Sequence, residues 1–372
     1  MPGRMRIDSG AVSMIESRII YFFTRKCDRE LKNLEMQRIC ARINTFYLIQ
    51  IAMHHLLPTD LLSTLDDLSA PRLASYRSFF IPTNDSELYG IYCWNDAISI
   101  RFMRLIGTIE IIMRNRFHRE LSKYAHCPAS FGTPESNNWY RYIVTDGTKT
   151  AQQVKKKSNW SLASNIPAHQ VIAGMTFGFW HNLLNIQTTP SPAAQPILWK
   201  TIIPGIFSDH PQKSPGHWKK QHHRDQLFAR IAFVNDFRNR IAHFEPLWKF
   251  GELKDEWLER TGHPVAVVEG APGDVATALK RLKLCYERCL QLLEWLSKDR
   301  TADYKHSENH ASLEWLFTED ALKHYRNIEE SSSLRLGSLT KSWGAKLALS
   351  NGKAVVVTMK SQVIGMYIPT FR

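Results

Sequence analysis

The chain has 372 residues, 44% of them hydrophobic, which supplies a core for one large domain or two ordinary ones without disulfide staples. Its 48 Lys and Arg against 35 Asp and Glu leave a formal charge of +13, which favours a polyanionic partner but also serves solubility. No apolar run approaches the ~18–20 residues that span a bilayer, and no secretory leader precedes the six scattered cysteines, so the expectation is a cytoplasmic protein with reduced thiols and no membrane partner.

Apolar residues recur three and four apart through most of the chain, the period of helices. Residues 14–57 predict one or two helices that end at Pro58. In "LSAPRLASYRSFF", Ser69 suits an N-cap and Pro71 a first helical turn. The stretch 87–125 predicts one long helix or two, with an apolar face thick enough for a core. Residues 127–160 are rich in Gly, Pro, Asn, Ser and Thr and read as a loop-rich inserted lobe. Helix resumes at 167–185, and a break at "QTTPSPAAQP" follows. A basic, histidine-containing linker, "SDHPQKSPGHWKKQHHR", leads into a helix from Asp225 to about His243, with Asp225 at its dipole-favourable start and Pro246 enforcing its stop. The segment 273–299 predicts an amphipathic helix of about seven turns. Residues 310–328 suggest one more short helix, and 353–369 a terminal strand or hairpin. Cys285 and Cys289 share a helical face, but no second Cys/His pair at finger-like spacing accompanies them, and no metal ligand set is assigned. Neither an internal repeat nor a glycine-rich phosphate loop is present, so no cofactor is expected.

The chemistry concentrates in "NDFRNRIAHFEPLW", residues 235–248. An imidazole with a pKa near ~6.5 can move protons at a ribose 2′-hydroxyl or a leaving 5′-oxygen. A guanidinium holds a phosphate and stabilises its developing charge. An asparagine amide can orient either group. At about 100° per residue Asn239 and His243 share a face, whereas Arg238 and His243 diverge by roughly 140°. A second copy across a two-fold axis, or a bend at the helix end, is needed to bring them together. No carboxylate cluster for magnesium stands beside this set, so two-metal chemistry is the weaker reading. The bland alternative is that basic residues near a helix C-terminus serve only the helix dipole.

A second stripe holds Glu110, Arg114, Asn115 and His118. It is either a half-site facing RNA or an ordinary surface with a Glu110–Arg114 i,i+4 ion pair. The runs "VKKKSNW" and "HWKKQHHR" offer Lys155, Lys156, Lys157, Lys219 and Lys220, together with Arg240, as contacts for phosphate. Trp160 or Trp218 could stack on a base. The alternative is a pair of solvated loops. His222 and His223 are adjacent and expected to face different ways, which argues against a shared metal.

In order along the chain, "LSAPRLASYRSFF", "LYGIYCWNDAIS", "IEIIMRNRFH", "MTFGFWHNLL" and "VNDFRNRIAHFEPLW" resemble the Abi-like (abortive infection) proteins of the HEPN superfamily over residues 65–298. The resemblance implies an all-α, HEPN-like helical bundle with the 127–160 insertion; outside the matched part stand an N-terminal helical region at 1–64 and a small C-terminal extension at 299–372. It implies a metal-independent endoribonuclease in phage defence or a toxin–antitoxin system, leaving 2′,3′-cyclic phosphate and 5′-hydroxyl ends. The R-x4-6-H motif of that superfamily falls on Arg238, Asn239 and His243, and the Glu110, Arg114 and Asn115 stripe corresponds to a segment that lines the site. The implied partners are RNA, a second copy in a homodimer, and an antitoxin or a phage-derived trigger. The alternative is a non-catalytic RNA-binding or protein-interaction module in phage sensing.

Overall fold

A computed structural model of the protein describes residues 57–128, 130–144, 149–158, 166–189, 195–256, 265–328, 355–359 and 362–367; the helices expected before Pro58 lie outside them, as does Trp160. Leu61–Leu68 (α1) is capped by Asp60, whose carboxylate accepts from the Ser63 N–H at 2.9 Å. In Ala70–Phe80 (α2) Ser69 takes the N-cap position with Pro71 in the first turn, but its φ is 70° and its hydroxyl caps no amide.

The long helix is unbroken. Asp85–Ala125 (α3) has 41 residues and runs about 60 Å. Asn84 accepts from the Glu87 N–H at 2.8 Å, and Asp85 and Glu87 complement the helix dipole in the first turn. Leu105, Ile109, Met113, Phe117 and Leu121 are fully buried at intervals of four residues, a single stripe facing the core.

The segment expected as a loop-rich lobe is instead structured. Gly132–Thr133 (β1) and Ser136–Asn137 (β2) form a small antiparallel hairpin, followed by Tyr140–Ile143 (α4) and Lys149–Ser158 (α5). The Asn137 amide donates to the carbonyls of Ser122 and Thr133 at 2.9 Å each, which ties the hairpin to α3. Trp139, Tyr140, Ile143, Ala151 and Val154 are buried in the common core. The few apolar residues here stand at helical spacing, and the polar composition around them hides it.

Ala168–Ala173 (α6) and Phe177–Leu183 (α7) are two short helices where one stretch was expected, and Trp199–Ile206 (α8) follows the break. The basic linker also folds, through Pro215–Lys219 (α9). Trp218 is 1% exposed there and its indole N–H donates to the Gln212 carbonyl at 2.9 Å, so it cannot stack on a base. Gln221–Ala242 (α10) starts a turn earlier than Asp225, which is buried and accepts from the Gln221 amide at 2.9 Å rather than standing at the helix start. Leu253–Lys254 (β3) pairs antiparallel with Val267–Glu269 (β4). Val275–Leu296 (α11) opens on an Asp274/Thr277 capping box.

The region after residue 298 was expected to be an accessory extension with one short helix. It holds Lys298–Lys305 (α12), Glu308–Leu316 (α13) and Glu319–Arg326 (α14); α13 and α14 pack on the N-terminal half of α3, and α12 packs on α13 and on the preceding helix, α11. Arg326 pairs with Glu87 at 2.7 Å and donates to the Phe80 carbonyl at 2.8 Å, and the Trp94 indole donates to the Leu316 carbonyl at 2.9 Å. Gly90 leaves the room for this: a Cβ there would strike the Tyr325 carbonyl. From Leu57 on, the chain clusters as one compact unit. Val355–Met359 (β5) and Gln362–Tyr367 (β6) form the terminal antiparallel hairpin that the alternating sequence predicts. Among the described residues no helix is long and apolar enough to cross a membrane.

Candidate functional site at the end of helix α10

Helix α10 buries Leu227, Ile231, Val234, Phe237 and Ile241 at helical spacing. Phe237 meets Phe102 of α3 edge-on with ring centroids 4.7 Å apart. This packing sets Arg238 and Asn239, half-buried in the last turns, against the middle of α3. Glu110 feels both guanidiniums. Burial pushes its carboxyl above the usual carboxylate range, and Arg238 and Arg114 pull it back. The structure thus brings Glu110, Arg114 and Arg238 into one electrostatic neighbourhood, while Asn115 lies on the exposed side of α3. The Arg238 guanidinium reaches the Asn239 amide oxygen at 3.5 Å.

His243 is the C-cap of α10 and is exposed. Its N–H donates to the Asn239 carbonyl at 3.0 Å, with backbone φ −96° and ψ 8°. Among the described residues no side-chain hydrogen bond or ion pair joins His243 to Arg238 or Asn239. Arg238 acts on the Glu110 carboxyl, whereas His243 is exposed.

The turn beyond is held from several directions. Phe244 is left-handed with φ 56°, and its carbonyl accepts from Arg72 of α2 at 2.6 Å. The Leu247 N–H donates to the buried Asn95 side chain at 2.8 Å. Trp248, 3% exposed, stacks on Phe79 at 4.4 Å and meets Tyr76 and Phe80 edge-on. Arg240, expected to meet RNA, is drawn into this turn: it donates to the Pro246 carbonyl at 3.0 Å, pairs with Glu245 at 3.4 Å and lies over the Phe250 ring. Burial lowers its pKa, against the pull of Glu245. Sequence reasoning missed Arg72, Asn95 and Phe244 as parts of the site. Phe244 stood in the quoted motif beside His243, but nothing in local spacing could reveal contacts to residues so distant in the chain.

His118 is structural. Its Nδ1 accepts from the Trp139 indole at 2.9 Å and its Nε2 lies 3.0 Å from the Ser136 hydroxyl. Burial, assisted by His169, lowers its pKa to about 4, so the ring is neutral. Lys155, Lys156 and Lys157 are exposed on the last turn of α5, where they also favour the helix dipole. Lys219 and Lys220 are exposed at the junction of α9 and α10. His222 and His223 do not diverge as expected: their rings meet edge-on at 4.0 Å, and His223 stacks on His217 at 3.5 Å. Among the described residues no group of three or more His, Cys, Asp or Glu side chains is arranged to hold a metal ion.

The segment that carries these elements, from α1 to the Trp248 anchor, coincides with residues 65–249, which match the family model of Abi-like proteins. Over this segment the chain belongs to the Abi-like family. No curated protein and no solved structure matches the chain. The family assignment points to abortive infection, a phage-defence response, and within the Abi-like segment lie Arg72, Glu110, Arg114, Arg238, Asn239 and His243.

Proposed function

We propose that this Abi-like protein is a metal-independent endoribonuclease of the HEPN type, acting in abortive infection or as the toxin of a toxin–antitoxin pair. The observation that carries the reading is the polarity of the α10 terminus: an exposed imidazole at its cap, with a half-buried amide and guanidinium about one turn earlier, the guanidinium sharing the Glu110 carboxyl of α3 with Arg114. His243 takes the proton of a ribose 2′-hydroxyl. The 2′-oxygen attacks phosphorus, the P–O5′ bond breaks, and a proton returns to the departing 5′-oxygen. The products are a 2′,3′-cyclic phosphate and a 5′-hydroxyl. Arg238 stabilises charge on the phosphate oxygens, Asn239 orients its neighbours, and Glu110 and Arg114 line the site.

The divergence of Arg238 and His243 supports a homodimer in which each phosphate is served by the arginine of one copy and the histidine of the other. Lys155, Lys156, Lys157, Lys219 and Lys220 carry the RNA backbone toward the site. A phage-derived trigger or an antitoxin controls the activity.

The test is incubation of wild type and His243→Ala with total cellular RNA in EDTA, followed by analysis of fragment ends. Cleavage by wild type alone, leaving cyclic phosphate, supports the reading. Equal behaviour of the two proteins removes the nuclease assignment in favour of a non-catalytic binding module, and cleavage lost in EDTA makes the chemistry metal-dependent.

A further inference from the structure

Cleavage needs two proton transfers, and His243 accounts for the first. A second titratable group stands beside the same arginines. Glu110, in the middle of α3, is half-buried at the rim of the stripe that fully buries Ile109 and Met113. Arg114 follows one turn later, and Arg238 acts on the same carboxyl from α10. An ion pair is the ordinary outcome of such a setting. Among the described residues, however, the Glu110 carboxyl closes no ion pair and accepts no hydrogen bond. Arg114 likewise holds no carbonyl or carboxylate there, and Arg238 reaches only the Asn239 amide oxygen. Half-buried arginines elsewhere are engaged, Arg116 with the Ile206 carbonyl and the Ser208 hydroxyl, and Arg326 with Glu87 and the Phe80 carbonyl. Burial raises the carboxyls of two described residues, Glu110 and Asp236. Asp236 is exposed and accepts from the Asn235 amide at 3.5 Å, whereas the Glu110 carboxyl is unengaged. A phosphate bound by Arg114 and Arg238 takes up their positive charge, so a carboxyl beside it keeps its proton more firmly.

We propose that Glu110 is the general acid of the cleavage, giving its proton to the 5′-oxygen as that oxygen leaves phosphorus; the proposal rests on the ribonuclease reading above. His243 takes the proton of the 2′-hydroxyl, and the 2′-oxygen forms its bond to phosphorus. The electron pair of the breaking P–O5′ bond stays on the 5′-oxygen, which the Glu110 O–H protonates. The carboxyl is left as a carboxylate, which Arg114 and Arg238 stabilise. Exchange with water then returns a proton to Glu110 and removes one from His243, so both groups are reset. An exposed imidazole and a desolvated carboxyl divide the base and acid roles because their environments differ.

The test compares an ordinary RNA oligonucleotide with one that carries sulfur in place of the bridging 5′-oxygen at the scissile linkage. A 5′-thiolate leaves without a proton, so the sulfur substrate bypasses the acid and still needs the base. Single-turnover rates of wild type, Glu110→Gln and His243→Ala are measured on both substrates. The ratio of the two rates within one preparation cancels any loss of folded protein. Glu110→Gln should be slower than wild type by about a hundredfold or more on ordinary RNA, within the range of general acid catalysis, and close to wild type on the sulfur substrate. His243→Ala should be slow on both. Equal loss for Glu110→Gln on the two substrates overturns the acid role and leaves Glu110 to position its arginines. A wild-type rate for Glu110→Gln on ordinary RNA overturns it as well, and rescue of His243→Ala by sulfur assigns the acid to the histidine instead. In each of these cases wild type still cuts RNA and the ribonuclease reading stands. A wild type that cuts neither substrate overturns that reading and this inference together.

Discussion

The guanidinium of Arg72, at the start of α2, donates a 2.6 Å hydrogen bond to the carbonyl of Phe244, 172 residues later in the chain. It ties the beginning of the Abi-like segment to the turn that carries His243. Arg72→Ala should cost stability only modestly, about 1 kcal/mol for one exposed bond to a charged donor. Its effect on RNA cleavage should be larger than that, because the turn loses its register. Paired urea denaturation and cleavage rates check this, and a cleavage loss no greater than the stability loss would show that the turn does not need the tie.

Gly90 and the Tyr325 carbonyl touch so closely that no side chain fits between α3 and α14. Gly90→Ala should destabilise the protein by on the order of 3 kcal/mol, the cost of forced overpacking. It should also loosen the C-terminal helices selectively. Thermal melting together with limited proteolysis beyond Leu296 reads both effects, and an unchanged melting temperature would mean that α14 is not integral to the core.

His118 sets an acid limit on stability. Burial lowers its pKa to about 4, below the ~6.5 of an unfolded histidine. As pH falls the unfolded chain takes up this proton first, so the stabilisation present above about pH 6.5 is lost progressively toward pH 4. His181, whose pKa burial likewise lowers to about 4, adds to the same trend. His118→Asn keeps an acceptor for the Trp139 indole and removes the titration. Melting temperatures measured between pH 7 and pH 4.5 should therefore fall less steeply for the variant than for wild type.

Lys155, Lys156 and Lys157 provide an electrostatic test. Replacing all three by Ala should weaken RNA binding uniformly across sequences and flatten the dependence of log K on log salt by roughly 2, the sum for three phosphate contacts to a single strand. Catalysis at saturating RNA should survive, unlike in His243→Ala. An unchanged salt slope would return these lysines to the role of a solvated helix end.

Much of this protein was legible before any coordinates. Apolar residues three and four apart determined the all-α class, because burying one face of a helix leaves that period in the sequence wherever the helix packs. The spacing of Arg238, Asn239 and His243 and the stop at Pro246 likewise placed the three at the end of one helix, with a second copy or a bend as the two ways for the arginine and the histidine to meet. Tertiary structure decided what local spacing does not encode. The Trp139 and Val154 region joined the core because a few well-spaced apolar residues outweighed a polar composition. Residues 299–328 became part of the body because Gly90 lets α14 approach α3. Glu110 met Arg238, and Arg72 met Phe244, only when distant helices packed. Helical periodicity records which face of an element is buried but not what buries it, and the site depends on those partners.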